Sequence, residues 1–123
     1  MKILLDTHIL LWWLADDNRL TDFAIQLITN PENQIFISIA SFWEMAIKIN
    51  KGKLRVNLHS IIHQAQNSNF ATLAIIEEHI LALAKLQDHH KDPFDRMLAA
   101  QAMTAPMHLL THDRNLKQYS DLV

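Results

Sequence analysis

The segment MKILLDTHIL, residues 1–10, is the part of the sequence that decides the fold class. Its apolar run at residues 3–5 is short and unbroken, which is typical of a β-strand buried on both faces. The run ends at Asp6, and apolar residues all along the segment 9–14 predict a short buried helix directly after it. A buried strand that leads straight into a helix indicates a sheet with helices packed on it.

The rest of the chain alternates between short apolar runs and helical patterns. Further strands are predicted at residues 35–37, 70–76 and 107–110, and helices at 21–30, 41–50, 58–66, 77–86 and 93–103, with a short last helix from Asp113. Strands that alternate with helices need crossover connections, and these give parallel pairing. We therefore expect one α/β domain over residues 1–123, with three layers (α/β/α) and a central parallel sheet of four to five short strands.

Two scarcities in the composition exclude whole classes of site. Gly52 is the only glycine, so the chain has neither a P-loop nor a dinucleotide-binding loop, which both need several glycines. It has no cysteine, which excludes a disulfide framework, a thiol nucleophile and a zinc ribbon. No apolar run approaches the ~20 residues of a membrane span, and Asp6 and His8 interrupt the N-terminal run that an export signal would need. We therefore expect a cytoplasmic protein with no membrane segment.

Four carboxylates come directly after predicted strands or open the helices that follow. Asp6 ends the first strand and Asp113 follows the fourth, whereas Glu44 and Asp95 are predicted in the first turns of helices. Because ligand sites of parallel sheets lie beyond the carboxyl ends of the strands, we expect all four at one edge. Clustered carboxylates repel one another unless a cation neutralises them, and a set of oxygen ligands favours Mg²⁺ or Mn²⁺ over zinc. The pattern indicates metal-assisted chemistry on phosphate, as in nucleases and phosphatases.

Each of these acids also has a purely structural interpretation. Ser41 and Glu44 have the spacing of a capping box, and Asp92 before Pro93 is a strong helix N-cap. Asp95 then lies in a first turn, where the helix dipole favours any acid. Asp6 and Asp113 are positioned to cap the helices that follow them. The convergence of the acids on one edge is what favours the metal hypothesis.

The residues around these acids resemble those of PIN-domain toxins of the VapC type, over essentially the whole chain. The resemblance is carried by ILLDTH (3–8), SFWEMAIK (41–48) with GKL (52–54), DPFDR (92–96), AAQA (99–102) and THD (111–113). It implies a PIN-like domain with Mg²⁺- or Mn²⁺-dependent endoribonuclease activity, in which metal-activated water cleaves RNA. Its metal-binding catalytic acids would be, position by position, Asp6, Glu44, Asp95 and Asp113. It also implies a cognate antitoxin that inhibits the toxin, and a toxin homodimer.

A net charge of −2 conceals an uneven distribution. Residues 1–44 carry a net −4, whereas residues 45–56 carry +4 and contain no acid. The lysines of this segment are candidates for contact with RNA phosphates, and so is an arginine beside one acid: Lys48, Lys51, Lys53 and Arg96. A solvated helix end explains the lysines equally well, because cations are favoured near helix C-termini.

Three further side chains are candidates for support of the acids. Thr7 and Thr111 each adjoin a strand end, where a hydroxyl can orient a carboxylate or a bound water, and Asp92 precedes the helix of Asp95. Ordinary helix capping is the alternative for all three. We also expect Trp43 to pack inside, and the excess apolar surface of residues 9–14 to contact a second copy or an antitoxin.

Two other functions fit parts of the pattern. Asp6 after the first strand is positioned like the nucleophile of an aspartyl phosphoryl-transfer enzyme, but His8 occupies the place of that pattern's second aspartate. The other alternative is a non-catalytic, PIN-like or receiver-like binding module, which would tolerate the loss of one acid.

Overall fold

A computed structural model describes residues 1–86, 92–105 and 107–112. Its elements in chain order are β1 (Lys2–Leu5), α1 (Thr7–Ala15), α2 (Asp22–Thr29), β2 (Gln34–Ser38), α3 (Ile39–Asn50), α4 (Leu58–Asn67), β3 (Ala71–Leu73), α5 (Glu77–Lys85), α6 (Pro93–Thr104) and β4 (His108–Leu110). Within these ranges, none of the helices combines the length and the apolar character that crossing a membrane requires.

The four strands form one parallel sheet in the order β3-β2-β1-β4. Strand β1 lies inside the sheet, and its Leu4 is paired with Phe36 of β2 on one side and Leu109 of β4 on the other. The predicted parallel sheet is therefore confirmed. A fifth strand and the short last helix would fall after residue 112, outside the described residues.

Helices cover both faces of the sheet, as the three-layer prediction requires. Ile3 and Leu5 face one hydrophobic cluster, to which helices α1 to α4 contribute, whereas Leu4 faces a second cluster with Leu98 and Ala102 of α6. All three β1 side chains are 0% exposed. Successive strand residues point to opposite faces, so an unbroken apolar run is what burial on both faces demands.

Helix α3 begins earlier than the sequence pattern predicts, and this removes the predicted capping box. The helix starts at Ile39 because Ser38, the last residue of β2, caps it with a hydrogen bond to the Ala40 N–H at 3.0 Å. The prediction that Ser41 caps and Glu44 lies in the first turn is therefore wrong. Glu44 lies in the second turn instead, on the buried side of α3.

The prediction that Trp43 packs inside is also wrong, whereas the predicted partner contact of residues 9–14 stays a prediction. Trp43 is 58% exposed, and its ring meets Phe94 edge-on with centroids 5.0 Å apart. It lies one turn after the exposed Ile39, on the side of α3 that the sheet does not cover. Helix α1 has no exposed large apolar side chain, because Leu11, Trp13 and Leu14 pack half-buried against the core.

Several helix ends follow the sequence signals. Thr21 caps α2, and Asp92 caps α6 as predicted, both with side-chain hydrogen bonds. After α3 the backbone turns at Gly52, which has a positive φ of 71°. Asp16 and Asn69 adopt similar left-handed conformations after α1 and α4. These residue types tolerate that conformation better than others do, which explains why these helices end there.

A buried histidine closes the start of α5. The Nδ1 atom of His79 accepts a hydrogen bond from the Ile76 N–H at 3.1 Å, and the buried Gln101 amide lies 3.4 Å from the same nitrogen. A ring nitrogen that accepts an N–H is unprotonated, so the imidazole is neutral. Burial lowers the pKa of His79 below its usual value near 6.5, with Glu78 acting weakly in the opposite direction.

This geometry predicts a pH-dependent stability. Below about pH 6.5 the unfolded chain binds a proton at residue 79 before the folded chain does, so the free energy of unfolding falls as the pH falls. We expect His79→Asn, which keeps an acceptor at the same place but does not titrate, to reduce that fall between about pH 7 and pH 5.5. Urea unfolding at several pH values measures it, with the exposed His59→Asn as control. Equal pH dependence in both variants would contradict this role.

Candidate active site

Asp6 lies where β1 passes into α1, and three elements hold it there. Its backbone N–H donates to the Leu110 carbonyl of β4 at 3.0 Å. Its carboxylate accepts the Ile9 N–H of α1 at 2.8 Å and the Thr111 hydroxyl at 2.5 Å. Asp6 is therefore a helix cap, as its structural interpretation requires, but it is also bonded across the sheet edge to the residue after β4.

The environment of Asp6 disfavours its charged form. The side chain is 3% exposed, and burial raises its pKa, while hydrogen bonds from Thr111 and the Ile9 N–H act in the opposite direction. An ionised carboxylate in such a place is incompletely compensated by its neighbours. A cation bound beside Asp6 would lower the free energy of the ionised form.

Glu44 is the second buried acid of this edge, at 4% exposure. One of its oxygens accepts the hydroxyl of Thr7 at 2.7 Å, and the other lies 2.9 Å from the ammonium of Lys48, one turn further along α3. Thr7 immediately follows Asp6. The dipeptide at the end of β1 therefore contains one acid and forms a hydrogen bond with the other. The hydroxyl of Thr7 was predicted to orient a carboxylate or a bound water, and in the structure it contacts Glu44 directly.

Ser41 completes this group, although its spacing from Glu44 predicts a helix-capping role instead. Its hydroxyl lies 2.9 Å from that of Thr7. Because the single hydroxyl hydrogen of Thr7 is directed at Glu44, Ser41 donates to Thr7. The signal for this contact was present in the sequence, since Ser41 and Glu44 are three residues apart and therefore lie on the same side of a helix.

The N-terminus of α6 carries the third predicted acid. Asp92 accepts the backbone N–H groups of Phe94 and Asp95 at 2.9 and 3.0 Å, so its carboxylate fixes the first turn in which Asp95 lies. Asp95 and Arg96 are both half-buried. Asp92 thus has the capping role that its sequence context favours, and through it sets the backbone at Asp95.

The remaining candidates differ in how far the structure describes them. Asp113 lies outside the described residues. Lys51 and Lys53 are exposed after α3, whereas Lys48 is committed to Glu44. In the part of the chain that the structure describes, no three His, Asp or Glu side chains are close enough to hold a metal ion together. The structure therefore links Asp6 and Glu44 through Thr7, which follows one and donates a hydrogen bond to the other. The described residues do not form a complete set of metal ligands.

The chemistry of the donor groups nevertheless suits a hard cation. The side chains joined by hydrogen bonds at this edge offer oxygen, and Mg²⁺ and Mn²⁺ prefer oxygen ligands. The Lys48 ammonium already supplies a positive charge to one oxygen of Glu44. The edge thus attracts cations, and one is part of the protein itself.

Comparisons with known proteins agree with this architecture. The family model described as PIN domain matches residues 3–122. A curated relative, "Ribonuclease VapC22" of Mycobacterium tuberculosis (strain ATCC 25618 / H37Rv), is 25% identical over 119 residues, which cover 95% of this chain and 91% of the relative.

Two solved structures have a similar fold. One is the crystal structure of VapBC2 from Rickettsia felis bound to a DNA fragment from their promoter, with a TM-score of 0.70 and 19% identity over 100% of this chain and 96% of the other. The second is VapBC-1 from nontypeable Haemophilus influenzae, with a TM-score of 0.69 and 21% identity over 97% of this chain and 92% of the other. At these identities the likeness concerns the fold.

The hydroxyl of Thr7 should contribute measurably to stability. Thr7→Val keeps the shape but removes the donor to Glu44, and a buried acceptor that loses its partner costs roughly 1–3 kcal/mol. We expect the free energy of unfolding to fall by that amount, and by less in Thr7→Ser, which keeps the hydroxyl. Urea unfolding in EDTA measures both variants. A loss in Thr7→Ser with none in Thr7→Val would show that the methyl contact, and not the hydrogen bond, matters.

Proposed function

The chain belongs to the PIN domain family, and from this we propose that it is a metal-dependent endoribonuclease, the toxin of a toxin–antitoxin pair. The observation that carries the proposal is the pair of buried carboxylates, Asp6 and Glu44, on the two sides of Thr7 at the carboxyl edge of a parallel sheet. Burying an acid lowers the stability of the folded chain, and such acids cluster at functional sites. The name of the curated ribonuclease relative supports RNA as the substrate.

In this proposal Asp6, Glu44 and Asp95 are the ligands of Mg²⁺ or Mn²⁺, for which they must come closer together than they lie in this structure, and Asp113 binds the ion directly or holds a water. When bound, such an ion activates water and stabilises the charge that develops on phosphate during displacement. Thr111 and Thr7 orient the two buried carboxylates by donating to one oxygen of each. Asp92 acts on Asp95 through the backbone of the first turn of α6.

The cations of the chain then divide into two groups with different tasks. Lys48 forms an ion pair with Glu44 at 2.9 Å, so its contact with RNA would require that it leave Glu44. Lys51 and Lys53 are exposed and free to approach the phosphates of RNA, while Arg96 adjoins Asp95 at the start of α6.

Two partners follow from the same proposal. The names of the two structures with a similar fold, VapBC2 and VapBC-1, support a cognate antitoxin as the first partner. A toxin homodimer is the second. Exposed apolar side chains on α3, α5 and α6 offer surface for it: Trp43, Ile80, Leu81 and Met103. The activity places the toxin in the cytoplasm, where its RNA substrate is.

The acids can be tested by cleavage of RNA in Mg²⁺. We expect Asp6→Asn and Glu44→Gln each to reduce cleavage at least about a hundredfold, since each removes a proposed ligand of the ion. EDTA should abolish cleavage by the wild type, and Mn²⁺ should restore it. The exposed Asp22→Asn serves as the matched control and should cleave like the wild type.

Stability separates loss of function from loss of structure in the same variants. Asn caps helices as well as Asp does, and Asp6→Asn removes a charge whose burial is unfavourable. We expect this variant to be at least as stable as the wild type in EDTA at pH 7, and to lose the stabilisation that Mg²⁺ gives the wild type. Thermal unfolding with and without Mg²⁺ measures both. Full cleavage by Asp6→Asn would refute the assignment, and Mg²⁺ binding without cleavage by the wild type would favour a binding module.

A further inference from the structure

A cleft of about 330 Å³ opens beside Thr7, on the side of α1 that faces the segment after α3. Its floor is apolar and is formed by Leu11, Met45, Leu54 and Val56. The polar residues of its lining are Thr7, His8, Asp17, Arg19, Lys48 and Lys53. The cleft is therefore continuous with the residues that hold Glu44, yet none of the proposed metal ligands lines it.

The lining of the cleft includes the guanidinium of Arg19, which hydrogen bonds to Asp17 hold in place. Both Nε and Nη2 of Arg19 donate to the carboxylate of Asp17, at 3.1 and 2.7 Å, and the Arg19 backbone N–H donates to the same carboxylate at 2.9 Å. The guanidinium carbon lies 4.9 Å from the centroid of the Trp12 ring, over its face. His112 packs edge-on against the same ring, with centroids 5.0 Å apart.

Stability alone does not explain this arrangement. The Arg19 side chain is 67% exposed, and exposed ion pairs contribute little to folding. One face of the guanidinium lies on Trp12 and the other is open to water, at the entrance of an apolar cleft. A rigid, cationic, planar group in such a place is a surface on which a nucleic-acid base can stack.

We infer that this cleft binds one nucleotide of single-stranded RNA, with its base against the open face of Arg19 and its phosphate at Lys53. The inference rests on the proposed ribonuclease function and adds to it a subsite that selects an unstacked base next to the cleavage site. Duplex RNA keeps its bases paired and stacked, so it cannot supply one to the cleft without opening.

The charges at the cleft favour RNA over an apolar peptide as the occupant. Arg19 and Lys48 are paired with carboxylates, but Lys53 makes no ion pair within the described residues. Lys53 is therefore a cation in the lining of a largely apolar cleft, and it is available to bind an anion. A nucleotide combines an apolar ring face with a phosphate, whereas an apolar peptide segment leaves Lys53 uncompensated.

The test measures binding of fluorescein-labelled single-stranded RNA of mixed sequence to the Asp6→Asn protein in Mg²⁺, where cleavage is blocked. Arg19→Lys keeps the positive charge but replaces the planar guanidinium by an ammonium on which a base cannot stack. We expect it to weaken RNA binding about tenfold. Arg55→Lys makes the same change at an exposed residue outside the cleft and should change affinity less than about twofold. On an oligomer with abasic riboses, Arg19→Lys should make no difference.

A second pair of variants tests the space in the cleft. Ala15→Trp fills it from an exposed position at the end of α1, and Gln26→Trp adds the same ring on the exposed side of α2. We expect only Ala15→Trp to weaken binding, with both proteins unfolding at the wild-type temperature. RNA binding that is insensitive to Arg19→Lys and Ala15→Trp overturns the subsite but leaves the ribonuclease proposal intact. Equal losses on abasic and normal RNA overturn base stacking, whereas absence of RNA cleavage by the wild type in Mg²⁺ overturns the proposed function itself.

Discussion

The burial of strand β1 is the constraint on which the rest of the structure depends. The strand is hydrogen-bonded to a neighbour along each edge and covered by a hydrophobic cluster on each face, so it has no freedom to shift in register. Whatever follows Leu5 is therefore fixed in space as firmly as the core. Asp6 and Thr7 are the residues that follow Leu5. The sheet therefore fixes the positions of these two residues of the candidate site.

The acids at this edge are stabilised in two different ways. Asp6 depends on hydrogen bonds from a hydroxyl and a backbone N–H, which leave its charged form unfavourable. Glu44 has in addition the ammonium of Lys48, whose charge is supplied from the same helix. The two carboxylates therefore differ in their partners, since within the described residues only Glu44 forms an ion pair. A site that binds metal reversibly needs both an attractive ligand and a fold that persists without the ion.

Much of the fold could be predicted from the sequence, because strands buried on both faces have a simple apolar signature. The four strands, their parallel pairing and the helices between them were found in this way. The start of α3 was missed because Ser38 and Ser41 are both good caps, and only the end of β2 decides between them. Trp43 was misplaced because residue size indicates burial only on average, whereas the face of α3 on which it lies depends on packing.

The candidate site was predictable as a set of positions but not as a set of contacts. Spacing along the chain gives the strand ends, and these gave Asp6, Glu44 and Asp95 as neighbours of one edge. The contacts of Thr7 with Ser41 and Glu44 join residues far apart in sequence, and the stacking of Arg19 on Trp12 depends on the turn between α1 and α2. No local pattern specifies such contacts.

The left-handed residues that end three of the helices have a consequence for the unfolded chain. Asp16, Gly52 and Asn69 reverse the backbone, and a single glycine is enough because the other two side chains tolerate the same conformation. Glycine loses more conformational entropy on folding than any other residue. A chain of 123 residues that needs one glycine begins folding from a narrower ensemble, which favours the native state without any added contact.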